Sequence, residues 1–401
     1  WGTLLQLVFA VFVFVIPIGG KLFLAVNSAV LALMESATAG TRFLFGRLAL
    51  PPGTENEQGE SSLGFFLAFQ ALPLAVFFAS FMALLYHVRI MPFLIRIFSR
   101  VFTTLMRVSG AESLCASSNI FVGVESALTV RPYLASMTRS ELLTILTAGM
   151  ATIASTVLGL YVLVLRPAFP NIAGHLVSAS VLSAPAAVLM AKILMPEEEQ
   201  PKTLGVAVAP HQEPASNWIE AIIKGAMDGV RLVVGIAALL LAFLGLVALV
   251  DQILGAAGGL INDWTGWSVD WTLAGCLGYV FYPLTWLIGV APADVGECAR
   301  LIGGRMILTE VPAYQELAGL IADGALQDPR SIVVTAYALC GFAHVASLGI
   351  FVGGISALAP ERTRDLAALG PRALLAATLA TLMTGAVAGI FATADMVILT
   401  R

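Results

Sequence analysis

Twice in this chain a carboxylate sits at a break in an otherwise apolar run. The first is Asn119-Ile120-Phe121-Val122-Gly123-Val124-Glu125-Ser126-Ala127, and the second is Leu308-Thr309-Glu310-Val311-Pro312-Ala313-Tyr314. A carboxylate is costly to desolvate, so one inside a membrane segment marks a functional site by default. The break constrains the backbone as well. Non-helical chain at membrane depth is tolerated only where it is buried in protein or lines a watery cavity. Two such breaks, one per half, predict paired re-entrant hairpins that meet at a substrate site near the bilayer midplane.

Composition agrees with a membrane chain. Mean hydropathy is +0.92, and only 11% of residues are charged, against about 25% in soluble domains. A net charge of -4 leaves no basic footprint, so nucleic acid is excluded as a partner. Cys115, Cys276, Cys298 and Cys340 lie apart in apolar surroundings. They read as small buried hydrophobes, not as a disulfide framework or a metal site. The chain opens inside an apolar stretch without Met, and a further helix is expected ahead of it.

A span needs about 20 apolar residues. Residues 4–23, 63–85, 142–165, 172–195, 229–250, 332–352 and 373–399 qualify. Residues 111–136 and 272–320 do not, because charged residues and prolines interrupt them. Both read as re-entrant helical hairpins. Residues 24–48 fit neither pattern, and 88–106, with Arg89, Arg96 and Arg100 among apolar residues, predicts an amphipathic interfacial helix. The polar stretches 51–62 and 196–216 are loops, and the second separates two halves. With Arg89 to Arg107, Arg131, Arg139, Lys192, Lys202, Lys224, Arg231, Arg362, Arg364 and Arg372 on the cytoplasmic side, one threading satisfies the positive-inside rule. The first hairpin then enters from the cytoplasm and the second from outside.

Each half runs hairpin, span with small polar residues, further apolar span. The polar spans are Thr147-Ala148-Gly149-Met150-Ala151-Thr152-Ile153-Ala154-Ser155-Thr156 and Cys340-Gly341-Phe342-Ala343-His344-Val345-Ala346-Ser347-Leu348-Gly349. Singly, either could be ordinary small-residue helix packing. Each facing a carboxylate hairpin favours local unwinding, which frees carbonyls to bind cations.

These pieces together resemble the concentrative nucleoside transporters. The resemblance covers essentially the whole chain. It is carried by Ser118-Asn119-Ile120-Phe121-Val122-Gly123, Arg131-Pro132-Tyr133-Leu134, Met137-Thr138-Arg139-Ser140-Glu141-Leu142, Gly149-Met150-Ala151-Thr152-Ile153-Ala154, Ser183-Ala184-Pro185, Leu339-Cys340-Gly341-Phe342-Ala343 and Leu358-Ala359-Pro360-Glu361-Arg362. It implies an all-α polytopic membrane protein with an inverted repeat, two re-entrant helical hairpins, broken helices and interfacial helices. It further implies a homotrimer of elevator-type secondary transporters, multi-pass in the inner (plasma) membrane and surrounded by lipid. Residues 1–110 would be scaffold and interfacial helices, 111–195 the first hairpin and two transport helices, 196–262 a cytoplasmic loop and scaffold helix, and 263–401 the second hairpin and final helices.

By position, the sodium site resembles Asn119, Val122, Thr152 and Ile153, an all-oxygen set suited to a hard cation; the bland alternative is that Asn119 and Thr152 cap broken helices. The substrate positions resemble Val124, Glu125, Ser126, Val157, Glu310, Phe342, His344 and Ser347. At the first tip the family's Gln is Val124, and the hydroxyl and carboxylate are exchanged as Glu125-Ser126. The second tip keeps its ribose-binding carboxylate, Glu310, and the family's Asn is His344. A buried His packed behind the site is the alternative reading of His344. Asp294/Glu297 and Arg300/Arg305 are expected to pair within the second hairpin, and Trp264, Trp267, Trp271 and Trp286 to anchor at the interface. No nucleophile–base motif, phosphate loop or zinc spacing is present, which disfavours an enzyme or receptor. The leading reading is an ion-coupled nucleoside importer, with sodium as the coupling ion and no other cofactor. The alternative is proton-coupled import of a related solute, such as a nucleobase or modified nucleoside.

Overall fold

The structure is a computed structural model that describes every residue except 57–58, 207, 212–214, 267 and 393–401. The described residues contain helices and no strand; two isolated bridges, Glu55–Ser61 and Ser109–Leu204, tie loops. In lipid the helix is favoured because it satisfies its own backbone amides within one segment. Among the described residues, six helices are long and apolar enough to cross a membrane.

Helix α1 (Gly2–Phe14) stops before α2 (Pro17–Phe45), which has proline at its first turn. Proline lacks an amide hydrogen and starts a helix readily while ending the one before it. The apolar run 4–23 is therefore two helices, and α2 is the crossing. It absorbs residues 24–48, which composition alone leaves unassigned. After the loop come α3 (Leu67–Gln70), α4 (Leu72–His87) and α5 (Ile90–Met106). On α5, Met91, Ile95 and Phe102 are buried, whereas Arg96 and Arg100 are exposed. That is the expected amphipathic face.

Residues 111–136 reverse direction instead of crossing. Helix α6 (Gly110–Asn119) leads to a turn, a 3-10 segment (Val124–Val130) and α7 (Arg131–Leu134). The limbs touch through Ser126 Oγ, which donates to Asn119 Oδ1 at 2.9 Å, and through Ser118 and Thr129, whose hydroxyls are 3.4 Å apart. Helices α8 (Arg139–Ala151) and α9 (Ser155–Leu165) follow, with extended backbone at Thr152 and Ala154 between them. Helix α10 (Ile172–Leu194) closes the first half.

Helix α11 (Trp218–Thr265) has 48 residues, about 72 Å at 1.5 Å per residue. The apolar run 229–250 is only its centre. Gly225 and Gly229 lie one turn apart and bring it against α4: a Cβ on either would lie 2.7 Å from backbone there. Small residues four apart permit such an approach.

The region 272–320 contains three helices, not a hairpin alone. Helix α12 (Leu273–Leu287) packs on α13 (Val295–Leu308), which with α14 (Glu310–Ala322) makes the second hairpin. Then come α15 (Pro329–Ala338), a break, α16 (Val345–Leu358) and α17 (Thr363–Phe391). Hairpin, broken helix and continuous helix thus recur. The halves interlock at their breaks. The ring of Phe351 on α16 fills the space a Cβ at Gly149 on α8 would need, and a Cβ at Gly341 would meet the Ala151 carbonyl at 2.8 Å. Gly341 has φ +143°, a conformation only glycine adopts without strain.

Trp264 and Trp286 are exposed as interface anchors should be. Trp271 instead donates its indole N–H to Asn262 Oδ1 at 3.1 Å, and Trp267 lies outside the described residues.

A buried polar network fixes the base of the first hairpin. Capping boxes start α6 (Ser109 with Glu112) and α8 (Thr138 with Glu141). Ser109 Oγ joins them by donating to Glu141 Oε1 at 2.6 Å. Lys192 from α10 sits 2.6 Å from the buried Glu112 carboxylate and 3.4 Å from Glu197. Removing one partner of a buried pair strands the other charge. Lys192→Met should therefore lower the thermal midpoint of the purified protein, and adding Glu112→Gln should restore part of the loss. Additive losses in the double variant would show that the pair is not coupled.

Candidate substrate and ion site

The second break supplies the most defined chemistry. His344 is the N-cap of α16: its Nδ1 accepts from the Ser347 amide at 3.2 Å, and Ser347 Oγ donates to the His344 carbonyl at 2.6 Å. An imidazole accepting at Nδ1 carries its hydrogen on Nε2. That nitrogen lies 3.0 Å from Glu310 Oε2. The pair is nonetheless off the hydrogen-bond line, and each atom keeps an unmade bond. Tyr161 Oη donates to the other carboxylate oxygen, Oε1. Glu310, His344 and Tyr161 are all buried. The arrangement offers one donor and one acceptor side by side, which suits a hydroxyl able to accept from Nε2 and donate to Oε2.

Glu310 is held there by strain and by a helix. Thr309 has φ +75° and ψ 171°, a region expensive for any residue but glycine. The turn ends α13 and starts α14 at Glu310, whose carboxylate sits in the first turn, where the helix dipole favours negative charge. Val157, Tyr161, Thr309, Glu310, Phe342 and His344 share one small pocket of about 40 Å³. Ile236, Leu239 and Leu240 of α11 form its apolar wall.

Glu125 does not join them. It is exposed and lines a separate cavity of about 460 Å³, with Val122, Thr156, His87, Arg89, His211, Lys224 and Asp228. Ser126 turns inward to Asn119, and Ser347 is consumed by the cap. Val124 starts the 3-10 segment at the tip. Of the expected substrate positions, Glu125 lines the larger cavity and Val157, Glu310, Phe342 and His344 the smaller one, while Ser126 and Ser347 line neither. Tyr161 was not legible as a site residue. A tyrosine in an apolar span reads as core, and only the fold brings it to Glu310.

The expected ion residues come together. Asn119 ends α6, Thr152 ends α8, and Val122 and Ile153 are buried between them. Ser155 N donates to the Phe121 carbonyl at 3.3 Å, as does its hydroxyl. Ser180 on α10 donates to the Ile120 carbonyl at 2.9 Å and reaches that of Ile153 at 3.5 Å. Asn119 Nδ2 donates to the Cys115 carbonyl, and Thr152 Oγ1 to that of Ala148. Both side-chain oxygens therefore keep lone pairs for a cation. Two helix C-termini meet here and contribute partial negative charge. A neutral, all-oxygen donor set of this kind fits a sodium-sized hard cation. Ser155 and Ser180 escape sequence reasoning because their partners are backbone carbonyls.

The second hairpin corrects one expectation. Arg300 pairs with Glu297 at 3.3 Å and with Glu316. Asp294 accepts from the amides of Gln327 and Asp328. Arg305 has neither as a partner. It is fully buried, and only Nη2 is bonded, to Thr381 Oγ1 at 3.3 Å.

Comparison with known proteins places this geometry. Residues 175–389 match the family model described as Na+ dependent nucleoside transporter C-terminus, 1–48 the corresponding N-terminus, and 68–168 a nucleoside recognition region. An uncharacterized transporter, YutK, of Bacillus subtilis is 36% identical over 97% of this chain and 91% of its own. Human solute carrier family 28 member 3 is 37% identical over 97% of this chain, which spans 55% of that longer protein. The nucleoside permease NupC of Helicobacter pylori is 32% identical over 94% of this chain and 87% of its own. Among solved structures, CNTnw in an inward-facing substrate-bound state superposes with a TM-score of 0.86 at 34% identity, over 97% of this chain and 90% of that one. A variant in an outward-facing state gives 0.84 at 33%, with the same coverage. The chain belongs to the family of concentrative, sodium-dependent nucleoside transporters.

Proposed function

We propose that this protein imports nucleosides across the plasma membrane, driven by sodium and working as a homotrimer in lipid. The observation that carries the substrate class is the buried Glu310–His344 pair, whose facing atoms are 3.0 Å apart yet each lack a hydrogen bond. A ribose hydroxyl meets both needs at once. A second adjacent hydroxyl is accepted by the same carboxylate, with charge-assisted strength. Phe342 and Val157 give the sugar and base apolar walls. The family's base-reading Gln is replaced by Val124, so selection among bases shifts to the wider cavity lined by Glu125 and Thr156.

Sodium is assigned to Asn119, Val122, Thr152 and Ile153. A cation there joins the first tip to the α8–α9 break, which links ion binding to the shape of the tip. Uptake of uridine, adenosine and free bases into proteoliposomes, with and without a sodium gradient, tests the whole reading. Asn119→Ala should raise the sodium concentration for half-maximal uptake by roughly tenfold, on the order of 1.4 kcal/mol, without altering assembly. Wild-type uptake that follows only a pH gradient would remove the sodium assignment and favour the proton-coupled alternative.

Glu310→Gln keeps shape but loses charge assistance, at a cost of about 1.5–3 kcal/mol in ribonucleoside binding. A nucleoside lacking the bound hydroxyl should lose less. Equal losses for both would argue against direct contact.

His344→Asn separates two roles. Asn is a good N-cap but is too short to keep the imidazole's place beside Glu310. The variant should fold as stably as the wild type while its preference between ribo- and deoxyribonucleosides changes. An unchanged preference would reduce His344 to a cap.

A further inference from the structure

Arg305 is a buried cation that the transport scheme above leaves unused. Its side chain heads the fully buried ones by size, and among the described residues no carboxylate pairs with it. An unpaired guanidinium in such a place is strongly destabilising unless something else answers its charge.

Its place in the repeat supplies the answer. Asn119 stands four residues before Gly123, where the first hairpin turns, in the last turn of α6. Arg305 stands four residues before Thr309, where the second turns, in the last turn of α13. In the first half the C-termini of α6 and α8 converge on the ion residues. In the second half α13 ends beside the break after α15. Thr381 connects the two: its hydroxyl accepts from Arg305, and its methyl would lie 2.9 Å from a Cβ at Gly341. Glu310, Tyr314 and Cys340 are the guanidinium's electrostatic neighbours, Glu310 foremost but without a direct ion pair. Each helix C-terminus presents about half a negative charge and unpaired carbonyls. Both halves therefore create the same demand for a cation.

We propose that Arg305 is a built-in cation that occupies, in the second half, the place an exchangeable sodium ion takes in the first. The first tip gains its cation only when the ion is bound, whereas the second carries its own at every ion concentration, bonded to Thr381 of α17 beside the α15–α16 break. Arginine suits the role because it stays charged even when buried. The proposal rests on the sodium assignment above for its comparison, and the two fail separately: that assignment on the wild type's response to sodium, this proposal on the following variants.

Uridine binding to purified trimer is measured at saturating sodium for Arg305→Lys and Arg305→Gln. The lysine variant keeps the charge and should bind within about threefold of wild type, since a point charge replaces most of the electrostatic role. The glutamine variant keeps the polarity without the charge and should lose about tenfold or more. Low, non-denaturing guanidinium should recover part of that loss. Equal weakening of both variants, or wild-type binding by Arg305→Gln, overturns the proposal. Radiolabelled sodium binding to the wild type decides the matter even if a variant does not assemble. One ion per protomer supports the built-in cation, and a second ion overturns it.

Discussion

Backbone that ceases to be helical at membrane depth is the constraint on which this structure depends. The chain does so at the tips of both hairpins and at the breaks after α8 and α15, and the freed groups that are buried must be satisfied by the protein itself. The first pair is met by neutral oxygen: Ser155 and Ser180 hold the carbonyls of Phe121, Ile120 and Ile153. The second pair is met by His344 capping α16 and by the strained Thr309 turn into α14. What these devices leave over is the proposed site. Lone pairs on Asn119 and Thr152 remain at one end, and the unmade bonds of Glu310 and His344 at the other.

The cap explains why a histidine can stand where relatives are expected to carry asparagine. The N-cap needs an acceptor for the Ser347 amide, and Nδ1 supplies it. Using Nδ1 in this way commits the hydrogen to Nε2, the atom facing Glu310. Protonating the ring would set an N–H against the Ser347 N–H and break the cap. The helix start and the pocket chemistry are therefore one decision made by one ring. A residue that did only one of these jobs would leave either a frayed α16 or a pocket without the Nε2 donor beside Glu310.

Much of this was legible in the sequence because apolar patterning and its interruptions are local signals. The breaks at 152–154 and 339–344, the hairpin at 111–136 and the amphipathic α5 all follow from which residues interrupt the apolar runs. Boundaries governed by a single proline or by tertiary packing were not legible. Pro17 divides the first apolar run, and α11 continues far past its apolar centre because Gly225 and Gly229 seat it on α4. Partners distant in sequence were hidden as well. Tyr161 meets Glu310 across 149 residues, and nothing in the neighbourhood of either announces the other. The expected pairing of Arg305 with Asp294 or Glu297 failed for a related reason: those acids lie at the opposite end of α13, where one caps backbone and the other holds Arg300.

The tip of the first hairpin shows how exchanging two neighbours redistributes charge without changing the fold. Position 126 points into the protein, where Ser126 donates to Asn119 Oδ1. An ionised carboxylate at that position would set acceptor against acceptor beside the ion residues. Position 125 points into the larger cavity, toward a lining that includes Arg89 and Lys224. With Glu125 and Ser126 in this order, the negative charge moves from the ion side of the tip to the cavity side. The residues proposed to hold sodium are then left with neutral oxygens alone, and the pocket at Glu310 is untouched. On the proposed assignment, the exchange alters the lining of the larger cavity and leaves the Glu310 pocket as it is.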